Sequence, residues 1–158
     1  MKDNLFQDDP IGRFHKAVMA PRKLGVIDCF LSVADVILPA WNADLMEGLR
    51  GSYASYGEIR RLLAASGHSS AIGLINERAV NAGGTAMPAG AIEERAGNLD
   101  LGFLLVEDWH PSLRKLLGGM PAFFWAGKWV AMTHDGMVVA DPDRAAFAWA
   151  RPGDVSWA

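Results

Sequence analysis

One residue is placed like a catalytic nucleophile: Cys29, the single cysteine of this 158-residue chain. It follows the extended stretch LGVI (24–27) and Asp28, and it opens a strongly apolar segment, so it falls at the first turn of an expected helix. Backbone N–H groups without intrahelical partners and the positive end of the helix dipole favour a thiolate there, the nucleophilic form of cysteine. The same pair has a plainer reading, with Asp28 as an N-cap and Cys29 as a small apolar side chain in a packed helix. A lone cysteine forms no internal disulfide, so the fold rests on packing.

Thiol catalysis needs a base, because a thiol of pKa about 8.5 is only a few per cent ionised at neutral pH. Four histidines are available. His134 lies in THDG, a turn sequence, and His110 lies in WHPS, a loop able to lean over a helix end. These two are the candidate bases, His110 the better placed. His15, half-buried on a first helix, and His68, after a helix-ending glycine, read as structural. His134, Asp135, Asp141 and Asp143 are neighbours in sequence but lack metal-ligand spacing and read as turn formers. Asp8-Asp9 and Glu93-Glu94 diverge on a helix or a strand, and no phosphate-cradling glycine motif is present. Neither a metal nor a cofactor is expected.

The elements that must position Cys29 are legible from periodicity. Ile11, Phe14, His15 and Val18 mark a helix between Pro10 and Pro21. Leu31, Val33, Ala34, Val36 and Ile37 fill most of the circumference of a second, central helix that Asp28 caps and Pro39 stops. In SYASYGEIRRLLAASG, Ser55 and Glu58 form a capping box, Ile59, Leu62 and Leu63 one apolar face, and Gly67 the C-terminal cap. A fourth helix through Ala71, Leu74, Ile75 and Ala79 ends at Gly83-Gly84. After a mixed stretch to Gly97, the period shortens. Residues 99–106 read as a buried strand, EDWHPSLRKLLGG as an excursion with a helical turn, and FFWA, KWVAMT, MVVA and AFAWA as an antiparallel meander. Trp125 and Trp129 are expected on a common face, in the core or exposed. The order predicts one α+β domain, helical over 10–82, with a sheet over 99–151 and a short tail at 152–158 suited to docking on a neighbour.

Leu24 to Phe30, with Asp28-Cys29 opening an apolar helix, then Arg50-Gly51-x-Tyr53 and RGSYASYGEIRRLLAASG, then the late sheet, together resemble the NlpC-like papain-like cysteine peptidases. The closer resemblance is to their small phage and prophage tail-module branch, from about residue 12 to residue 151. The resemblance implies a papain-like fold with Cys29 in the nucleophile position and a histidine opening an early strand, just ahead of Phe123. Gly119, Met120 and Pro121 stand there, and none accepts a proton. It therefore implies a tail-tip-associated protein that has lost peptidase activity and binds other tail proteins of the hub or tip, with residual affinity for peptidoglycan. Two alternatives stand beside it: a working cysteine peptidase or amidase using Cys29 with His110 or His134, and an unrelated α+β adaptor or chaperone.

Composition narrows the partners. Apolar residues make up 51% and charged residues 21%, which places the chain among globular domains. A net charge of −3 with no more than two adjacent basic residues argues against nucleic acid. The start, MKDNLFQDDP, has three aspartates and no apolar run, so synthesis in the cytoplasm without a secretory signal is the expectation; the resemblance implies that this is a phage host's cytoplasm and that assembly into a virion tail follows. Runs such as LGFLLV fall well short of the ~20 residues that span a bilayer.

Overall fold

A computed structural model describes residues 9–153. Helix α1 spans Pro10–Val18, with Pro10 in its first turn and the Asp9 carboxylate accepting from the Ile11 N–H at 3.1 Å. Helix α2 spans Cys29–Trp41 and is the central element, with Leu31, Val33, Ala34, Val36, Ile37 and Trp41 buried. Helices α3 (Tyr56–Ala65) and α4 (Ala71–Asn81) follow. The Glu58 N–H donates to Ser55 Oγ and the Glu58 carboxylate accepts from the Ala54 N–H, while Gly67, at φ 80°, closes the helix with a bond from the His68 N–H to the Leu63 carbonyl. His15 is exposed on α1 and not half-buried, because Ile11, Phe14 and Val18 already fill the inward stripe.

Pro39 does not stop α2, contrary to expectation. The helix continues to Trp41 and ends where Asn42 turns left-handed at φ 52°. Proline removes the bond to the carbonyl four residues earlier, here Asp35, and Asp35, Leu38 and Pro39 form the exposed stripe of the helix. On that exposed stripe the freed carbonyl is open to solvent, so the break is tolerated.

The sheet is antiparallel, six-stranded among the described residues, in the order β1-β6-β2-β3-β4-β5. Its strands are β1 (Thr85–Ala86), β2 (Leu101–Leu104), β3 (Met120–Trp125), β4 (Lys128–Thr133), β5 (Gly136–Ala140) and β6 (Ala145–Ala150). Two short helices, α5 (Ile92–Arg95) and α6 (Pro111–Leu117), interrupt the strands. The helical and sheet regions are thus less segregated than predicted. Only β3, β4 and β5 form a meander. Strand β6 crosses back to pair with β2, since β2 is buried along its whole length and needs a neighbour on each side.

One face of the sheet packs against the helices. Phe14 of α1 meets Phe123 of β3 edge-on at 5.0 Å, and Phe30 of α2 meets Phe103 of β2 at 5.9 Å. The other face carries a second, smaller core of Met87, Ile92, Met120, Ala122, Phe124, Trp129 and Ala148. Trp125 and Trp129 fall on opposite faces, not a common one, because the two-residue turn Ala126-Gly127 makes Trp129 the partner of Phe124 and Lys128 the partner of Trp125. The Trp129 ring lies directly on Gly102, where an added Cβ would come within 2.6 Å of it. No helix among the described residues is long and apolar enough to cross a membrane. The tail residues 154–158, including Trp157, lie outside the described region.

Candidate functional site

Asp28 is where local sequence and tertiary structure meet. As N-cap of α2 it accepts from the Leu31 N–H through Oδ1 at 2.9 Å. Its second oxygen accepts from the Gly25 N–H at 2.9 Å and from the Tyr53 hydroxyl at 2.6 Å. The side chain is buried, so a carboxylate that would be costly to desolvate alone is held by three donors. Gly25 is required by geometry as well: its φ is 82°, and an added Cβ would sit 2.0 Å from the Tyr53 carbonyl oxygen. The Gly51 N–H donates to the Gly25 carbonyl at 2.7 Å, closing the contact between the two loops.

The motif Arg50-Gly51-x-Tyr53 is therefore the partner of Asp28-Cys29 in space. Arg50 faces outward and bridges Asp35 at 2.6 Å and Asp44 at 3.1 Å, fixing the loop after α2 to the helix itself. Burial works to raise the Asp44 carboxyl, but the bonds from Arg50 and the Met46 N–H outweigh it and hold that carboxyl below its usual range.

Cys29 occupies the first position of α2, partly buried against the main core. Burial and, after it, the adjacent Asp28 carboxylate push its thiol up to about 12. Backbone N–H donors of the first turn and the Arg22 guanidinium act in the opposite sense but do not offset them. Arg22 is itself committed to carbonyls, those of Thr133 at 2.8 Å, Val18 at 2.9 Å and Ala20 at 2.8 Å. The helix-terminus effect expected to favour a thiolate is present here and is outweighed. Tyr53 is also raised, by burial first and then by its bond to Asp28, and the half-exposed Tyr56 is raised by burial and by the charges of Cys29 and Asp28.

Among the described residues, no hydrogen bond or ion pair joins a histidine to Cys29. His110 is exposed and caps α6, its Nδ1 accepting from the Ser112 N–H at 3.1 Å. His134 is exposed in the turn between β4 and β5. His68 pairs with Glu77, and His15 faces solvent on α1. Across from α2, the positions ahead of Phe123 divide between the two faces. Met120 belongs to the second core, whereas Pro121 faces α2 and lines a small void with Phe30, Val33 and Phe103. On the neighbouring strand, Val130 and Met132 belong to that same helix-facing core.

Between α2, α3 and α4, an apolar cavity of about 40 Å³ is lined by Phe30, Leu49, Tyr53, Ile59, Leu62 and Leu117, among others. It is far below the roughly 300–1,000 Å³ of ligand pockets, and its one polar side chain, Tyr53, is turned to Asp28. No group of His, Cys, Asp and Glu among the described residues is arranged to hold a metal ion. Residues that reading the sequence alone did not single out are Gly25, Arg22 and Tyr56. The Tyr53 hydroxyl was visible only as part of a motif without a role, because its partner lies 25 residues away.

The chain belongs to the DUF6950 family, described as a domain of unknown function, whose pattern matches residues 11–151. Neither among curated proteins nor among solved structures does any match the chain.

Proposed function

We propose that this is an NlpC-like, papain-like domain in which peptidase activity is lost and which serves as a binding component of a phage or prophage tail tip. The observation that carries the reading is Cys29 at the start of a buried helix packed across an antiparallel sheet, its thiol raised and its facing strands apolar. The coupling of Asp28 to Tyr53 supports the kinship, since it joins in space the two motifs on which the resemblance rests. Pro121, Val130 and Met132 on the helix-facing side supply no proton acceptor and no group to orient one. The tail setting rests on the resemblance of the sequence to small tail-module proteins.

An active peptidase would need His110 or His134 to reach the sulfur, whereas His110 is exposed with its Nδ1 bonded by the Ser112 N–H and His134 is exposed in the turn between β4 and β5. Incubation of purified protein with peptidoglycan sacculi tests the loss of activity. The expected result is no release of stem-peptide fragments above that of Cys29→Ala; release that the substitution abolishes would contradict it. Mass spectrometry of tail particles from induced cultures of the encoding strain tests the setting, with the chain expected in assembled tails and its absence there counting against it.

A further inference from the structure

The two edges of the sheet are built differently. Strand β1 is an edge of only two residues, Thr85 and Ala86, and beyond it the Met87 N–H donates to the Ala148 carbonyl. Strand β5 is an edge of five residues, Gly136–Ala140, in unbroken register with β4 from Thr133↔Gly136 to Trp129↔Ala140. It contains no charge, no proline and no bulge, the devices by which natural sheets blunt an edge. Met137, Val138 and Val139 are 38%, 36% and 55% exposed. Among the described residues, the backbone of 136–140 bonds to β4, and the Gly136 carbonyl also accepts from the Thr133 hydroxyl. The outer row of N–H and C=O groups is matched by one kind of occupant, an extended backbone.

Charge selects which one. A second copy paired antiparallel about Val138 would set Asp135 opposite the copy's Asp141, and about Val139 opposite its Asp143, twice in each symmetric pair. Like charges directly opposite destabilise a strand pair. Asp141 is already paired with Lys128, whereas Asp135 and Asp143 are exposed at the two ends of the edge. We infer that the β5 edge takes up an extended segment of a different protein, uncharged and β-branched over about five residues, with a lysine or arginine at its ends facing Asp135 and Asp143. This inference stands on the sheet alone and is independent of the peptidase kinship.

The test is an NMR titration of the isotope-labelled full chain with a synthetic seven-residue peptide of alternating threonine and valine ending in lysines, and with the same peptide ending in aspartates. The expected result is amide shifts concentrated at 136–140, slowed hydrogen exchange there, and binding about three- to tenfold weaker for the aspartate-ended peptide. Val139→Lys, at an exposed position, weakens the lysine-ended peptide roughly tenfold with the rest of the spectrum unchanged. Absence of shifts at 136–140, or equal binding of both peptides, overturns the inference. So does a dimer of the free protein that Val139→Lys dissolves, which would make the occupant a second copy, and so does protection, already in the free monomer, of the outward amides of 136–140, those that do not donate to β4.

Discussion

At the start of α2 a buried carboxylate gathers three hydrogen bonds and ties two loops together, whereas the sheet face packed against that helix presents Pro121, Phe123, Val130 and Met132 and has no side-chain donor or acceptor among them. The two regions belong to one interface, where α2 packs on β3 and β4. One side is a hydrogen-bonded polar framework around Asp28, and the other is apolar packing. Asp28 explains how both can hold at once: its carboxylate stabilises the loop and the helix start whether or not Cys29 reacts, and the same charge disfavours the thiolate. The placement of Cys29 at the helix start thus follows from folding alone, and catalysis would need a separate cause.

That contrast is open to test by substitution. The largest expected effect is at Asp28. Asp28→Ala removes the cap and leaves the Tyr53 hydroxyl and the Gly25 N–H without their partner, costing about 3–5 kcal/mol in denaturant unfolding. A cost near that of Cys29→Ala would mean that the carboxylate is not the structural centre. Tyr53→Phe deletes one bond to a charged acceptor and is expected to cost about 1.5–3 kcal/mol by the same measurement. Arg50→Ala removes only a partly exposed pair of bridges, with an expected loss of about 1 kcal/mol or less that shrinks further at high salt. If Arg50→Ala proved costlier than Tyr53→Phe, the outward bridges and not the buried carboxylate would hold the loop.

The raised thiol has its own signature. An unfolded cysteine ionises near 9, while Cys29 in the folded chain holds its proton to about 12. Between those values the folded state binds the extra proton, so this contribution is fully present below pH 9 and is lost as pH rises towards 12. Urea midpoints of the unsubstituted protein are expected to fall more steeply between pH 9 and 11 than those of Cys29→Ala. Identical slopes would remove the claim that burial governs the sulfur.

Much of the helix side was legible because its signals are local. Asp28 before an apolar run, Ser55 three residues before Glu58, and Gly67 after the last periodic leucine each specify a helix end within one turn, and each end forms as read. Pro39 misled because whether a proline stops a helix depends on which way the freed carbonyl faces, and that is set by tertiary burial. The insertion of β6 beside β2 is likewise a long-range pairing, of Leu101 with Trp149 and Gly102 with Ala148, that strand periodicity does not encode. Of the candidate site, the position of Cys29 at the helix start was readable from residue types. Its proton affinity was not, since that depends on the depth of the helix terminus in the core and on an aspartate that also serves as its cap.

Alkylation of Cys29 by iodoacetamide, followed from pH 6 to pH 11 in the native protein and in denaturant, tests the proposed loss of activity most directly. The native rate should stay below the denatured rate throughout and rise only in the alkaline range, following a thiol held protonated by burial and by Asp28. A native rate that exceeds the denatured one and levels off below pH 7 would mean that a base reaches the sulfur, and the reading of this domain as a degenerate peptidase would be wrong.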